Sequence, residues 1–122
     1  YVGPLFGREK AELVRSSALM LSPGLVGLAA VDSLAAQTPI VTIAGSFHSP
    51  EYEYLAADRN AVILAESSTS AEYAQTVVRL LRDRARLGQL QAACIEEART
   101  LSLEVMVSRF ATGVLSALGR SA

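Results

Sequence analysis

A chain of 122 residues with a net charge of −1 has room for one domain with a modest core. Its hydrophobic share of 51% excludes acidic disorder, and no stretch is basic enough for a nucleic-acid footprint. With no Trp and 6% aromatic residues, the core has to be built from Leu, Val, Ile and Ala, as in layered α/β or helical proteins.

Taken in order, Tyr1 and Val2 read as the tail of a strand that begins upstream, so the chain is expected to be a piece of a longer protein. Gly3 and Pro4 make a turn. An amphipathic helix follows over 8–17, with Leu13 and Val14 facing inward and Arg8, Glu9, Lys10 and Glu12 facing water. Residues 18–21 read as a buried strand, 22–24 as a Gly/Pro turn, the next stretch as a helix carrying Asp32, and 39–43 as a second buried strand. Two apolar strands joined by one helix predict a βαβ unit in a parallel sheet. After the polar loop 44–50, a short helix is predicted over 51–57, with Pro50 near its first position, then a turn at 58–60 and a third strand over 61–65.

The remainder reads as helical. Thr69 and Glu72 form a capping box for a helix to about Arg82. A second helix runs from about Arg84 past Leu87 and Leu90 to Thr100, and holds Cys94 as a buried thiol. Ser102 caps a last helix whose apolar side is expected to comprise Val105, Phe110, Val114 and Leu115, ended by Gly and Ser near 118–121. The domain reading is therefore a single partial domain, with an α/β portion at 1–68 and a helical tail at 69–122. One cysteine permits no internal disulfide, the apolar run 24–30 is far too short to span a membrane, and no signal peptide is visible; a cytoplasmic setting is expected.

Two constellations carry chemistry. The first is the 22–28 stretch, with Gly24 and Gly27, followed by Asp32. Amides at the start of a helix, aided by its dipole, cradle phosphate, and a carboxylate one turn beyond Leu28, in the second turn of the helix, accepts hydrogen bonds from a ribose. The same residues also fit a tight turn and an ordinary helix acid. The second is His48, Glu51 and Glu53 at a loop-to-helix junction, suited to a polar ligand or to a locally hydrogen-bonded histidine. No second His or Cys stands at ligand spacing, so no metal is expected. A Ser-His-acid hydrolase lacks its Gly-x-Ser-x-Gly elbow.

The order of Pro23, Gly27, Leu28, Asp32, Ala35, Pro39, Ile40 and Val41, followed by Gly45, Glu53 and Asn60, resembles the group 1 (family 4) retaining glycosyltransferases of the GT-B fold. The resemblance spans essentially the whole chain and corresponds to the second half of the donor-binding C-terminal domain. It implies a Rossmann-like parallel sheet with flanking helices, and transfer of a hexose-type sugar from a nucleotide-diphosphate donor to a glycan or lipid acceptor. It also implies a role in glycan biosynthesis, with peripheral membrane association of the full-length protein, no cofactor beyond the donor itself, and an N-terminal domain elsewhere in the same protein.

Of the family's two glutamates seven residues apart, the ribose-binding one falls on Asp32 and the sugar-contacting one on Gly24, which has no side chain. The amides of Val26, Gly27 and Leu28 would meet the diphosphate, and Glu53 matches the acid after the Gly-rich loop, with Glu51 and His48 beside it. Half a donor site would be inactive alone, and its bare apolar face is expected to self-associate. A non-catalytic α/β interaction module, or part of a sugar-nucleotide epimerase, remains the alternative.

Overall fold

Three short strands carry the fold, each made of the apolar or β-branched residues that suit a strand packed on both faces. In the computed structural model, which describes residues 1–45 and 47–119, these are β1 (Met20–Ser22), β2 (Ile40–Ile43) and β3 (Ala61–Leu64). They form one parallel sheet in the order β1-β2-β3, with Met20 opposite Ile40 and Ile40 opposite Ala61. Five helices surround it: α1 (Gly7–Ser16), α2 (Ala29–Ala36), α3 (Ser70–Arg82), α4 (Arg84–Ala98) and α5 (Leu103–Ala117), with 3-10 turns at Pro50–Tyr54 and Arg99–Leu101. The chain is thus a mixed α/β protein with a parallel sheet, compatible with a Rossmann-like fold. Among the described residues no helix is long and apolar enough to cross a membrane.

The alternation of β2 divides the core. Ile40 packs with Val26, Ala30, Leu55 and Ala61 beneath α2 and the first 3-10 turn. Val41, its neighbour, points the other way and packs with Leu80 and Leu90 from α3 and α4. Tyr73 of α3 donates its hydroxyl to the Val41 carbonyl at 2.7 Å. Residues 70–98 therefore cover the second face of the sheet, whereas α1 packs on α2 and α5 on the 3-10 turn before it. The capping box at Thr69 and Glu72 is present as expected, with both reciprocal bonds made.

Several expectations are corrected. Tyr1 and Val2 lie outside the sheet and are exposed, so they end no strand here. The first strand starts at Met20 rather than residue 18, because its first ladder bond is Met20 N–H to the Pro39 carbonyl. It is an edge strand, not a buried one: Leu21 is 52% exposed. Within α1, Val14 is half-buried and Arg8, Glu9 and Glu12 are exposed as expected, but Leu13 faces solvent and Lys10 is half-buried.

The helix expected over 51–57 stops at Tyr54. Asn60, fully buried, donates Nδ2–H to the Tyr54 carbonyl and accepts the Ala56 amide at Oδ1, taking the groups a continuing helix would use. On α5, Phe110 and Val114 are exposed, Val105 and Leu115 are half-buried on other faces, and no residue of the helix is buried. Of the helix end placed near 118–121, Arg120 and Ser121 lie outside the described residues.

Candidate functional site

The chain does not enter α2 directly from β1. It stays non-helical through Gly27, and the reason is the 44–50 loop lying against it. The Val26 amide donates to Nδ1 of His48 at 3.2 Å, and the Ser49 amide donates to the Val26 carbonyl at 2.9 Å. His48 Nε2 lies 3.0 Å from the Ile43 carbonyl. A ring that accepts at Nδ1 carries its proton on Nε2, which then donates to Ile43, so both nitrogens are used by the neutral imidazole. The ring also stacks on Tyr52, with centroids 4.0 Å apart and planes 5° from parallel.

His48 is thus a brace between the carboxyl ends of β1 and β2. The Val26 amide, expected to meet a diphosphate, is already taken. The amides of Gly27 and Leu28 make no bond to any described residue, and Leu28 is the N-cap of α2 without a side-chain cap. These two remain available to an anion.

The two glycines differ. A Cβ on Gly27 would come 3.2 Å from Ser49 Oγ, so the loop packs closely on it. Around Gly24 there is open space, and its backbone is not left-handed, so nothing steric requires a glycine there. Gly24, Ile43, Gly45, Phe47, His48 and Glu66 line a cleft of about 180 Å³ at the carboxyl ends of the strands. Glu66 escaped the sequence reading. It follows β3 by two residues, and position just past a strand's carboxyl end was the signal that pointed to it. The cleft is smaller than the roughly 300–1,000 Å³ of ordinary small-molecule sites, and the charged side chain lining it is the Glu66 carboxylate.

The other expected site residues lie elsewhere. Asp32 sits in the first turn of α2 rather than its second, since the helix starts at Ala29. It faces α1, where Lys10 Nζ reaches its Oδ2 at 2.7 Å, in a cavity of about 160 Å³ shared with Val14, Arg15 and Ala35. Glu51 and Leu28 line a third groove, about 410 Å³, with Tyr54, Leu101, Met106 and Arg109. Glu53 is exposed on the 3-10 turn and lines none of the three. The expected site is therefore divided among three surfaces. Among the described residues no three His, Cys, Asp or Glu side chains converge for a metal ion.

The fold is that of a mixed α/β protein with a three-stranded parallel sheet, with a cleft at the carboxyl ends of its strands. No protein-family model matches the sequence, and no curated protein matches it.

Proposed function

We propose that this chain is the nucleotide-sugar-binding part of a retaining glycosyltransferase of the GT-B type. The observation that carries the reading is the turn from β1 into α2: two amides, Gly27 and Leu28, with no partner among the described residues, at a helix start, in the residue order that resembles the donor motif. In this reading the donor diphosphate rests on those amides, where the α2 dipole stabilises the negative charge of the leaving nucleotide. No side chain acts as nucleophile; catalysis comes from positioning and leaving-group stabilisation. Asp32 accepts the ribose hydroxyls after exchanging Lys10. That exchange is cheap, because the two side chains are 45% and 37% exposed and such pairs contribute about 0.2–1 kcal/mol.

A second reading, a non-catalytic α/β interaction module, draws on the absent side chain at Gly24 and on the ion pair already occupying Asp32. Calorimetric titration of UDP, GDP and ADP into the longest chain that carries this sequence separates the two. The donor reading expects one nucleotide to bind, about tenfold more weakly after Asp32→Ala, which is ~1.4 kcal/mol. Lys10→Ala strengthens binding by removing the competitor. Failure of all three nucleotides to bind at millimolar concentration supports the module instead.

A further inference from the structure

The cleft at the carboxyl ends of the strands takes the same position from each of them. Gly24, Gly45 and Glu66 are the second residues past β1, β2 and β3, and all three line it. A Cβ on Gly45 would stand 3.8 Å from Glu66 Oε1, so the carboxylate from β3 lies beside the end of β2. Neither glycine has a left-handed backbone. A Cβ would meet nothing within 4 Å at Gly24 and only that carboxylate oxygen at Gly45. The fold therefore requires glycine at neither place, and the missing side chains leave the cleft open. Leu25 and Phe47, 68% and 86% exposed, stand uncovered along it.

The chemistry of this lining selects its occupant. Glu66 is the one charged side chain among the described lining residues, and both ring nitrogens of His48 are spent on backbone groups. A carboxylate accepts hydrogen bonds and donates none, so the occupant has to present donors. A second anionic group beside it is repelled. Uncovered Leu25 and Phe47 suit an occupant with an apolar face. An uncharged sugar ring has both parts, hydroxyl donors at its edge and C–H groups on its faces. A volume of about 180 Å³ takes one ring of a larger ligand rather than the whole of it. The cleft also adjoins the α2 turn: Leu25 precedes Gly27 by two residues, and Ser49, which packs on Gly27, follows His48. We propose that Glu66 is a specificity-determining residue, accepting hydroxyls of the donor's sugar ring and selecting an uncharged hexose over a uronic acid. This rests on the donor-site reading and names the class of sugar that site takes.

Calorimetry on the longest chain that carries this sequence tests it, with far-UV circular dichroism confirming that the variant is folded. UDP, GDP and ADP are titrated first. For the base that binds, the glucose, galactose and mannose conjugates follow, beside the corresponding uronates. The parent should bind its preferred hexose conjugate about tenfold more tightly than the matching uronate. Glu66→Gln should bring the two within about threefold of each other, while the nucleoside diphosphate itself binds variant and parent alike. A preference that survives Glu66→Gln overturns the proposal, as does a variant that weakens the bare diphosphate as much as the conjugates. A nucleoside diphosphate that binds with no discrimination between hexose and uronate overturns this proposal alone. Failure of every nucleoside diphosphate to bind the parent overturns the donor-site reading, and this proposal with it.

Discussion

Replacing His48 tests whether the brace between β1 and β2 holds the α2 turn in place. His48→Phe keeps a flat ring against Tyr52 but leaves the Val26 amide and the Ile43 carbonyl without their ring partners. Each lost bond is worth about 0.5–1.5 kcal/mol, and more where the freed group stays buried, as Val26 does. The expected cost is about 2 kcal/mol. His48→Ala loses the stack as well, adding about 1 kcal/mol. With a urea slope of about 1.5 kcal/mol/M for a chain this size, the midpoint should fall by ~1.3 M for Phe and ~2 M for Ala. Amide hydrogen exchange supplies the local readout. Val26 should lose protection by a larger factor than Val41, which sits in the ladder of β2 and reports global opening. If Phe and Ala both remain within about 0.5 kcal/mol of the parent, or if Val26 and Val41 lose protection equally, the brace argument is wrong.

Two further outcomes concern the core. Thr42 is fully buried on β2 and its hydroxyl has no hydrogen-bond partner among the described residues; Thr42→Val removes that orphan and should raise stability by about 1 kcal/mol in urea unfolding, whereas a loss of stability would mean the hydroxyl is satisfied. Burial pushes the Cys94 thiol up from 9.0 to about 11. The folded chain therefore keeps its proton where the unfolded chain has lost it. The thiol's contribution is intact below pH 9.0 and is lost as pH rises through about 11, an order of ~3 kcal/mol. Stability measured from pH 8 to 10.5 should fall more steeply in the parent than in Cys94→Ala, and parallel curves would show that another group titrates.

What the sequence showed clearly was local. The Thr69 and Glu72 cap spans three residues and is written in the side chains themselves. The strands around Val41 and Val62 are recognisable as β-branched runs, and the helix between β1 and β2 makes them parallel. The site was hidden because its decisive contacts are long-range. Lys10 is 22 residues from Asp32, as His48 is from Val26, and neither pairing leaves a periodic trace. Asn60 illustrates the same point: it was singled out for its place in a motif, yet its side chain is spent on ending a 3-10 turn. Leu21 looked buried because the composition of a strand does not say whether it lies at the edge of its sheet.

The central place of β2 has a consequence for how the chain acquires its structure. Both strand pairs are parallel, joining Met20 to Ile40 and Ile40 to Ala61, so neither forms as a hairpin and each closes a loop of about twenty residues. Among the described residues both strand–strand ladders include β2, so its four residues, Ile40–Ile43, are expected to join the sheet early in folding. Substitutions there should slow folding, while those in α5, which adds little to the sheet, should leave the folding rate alone.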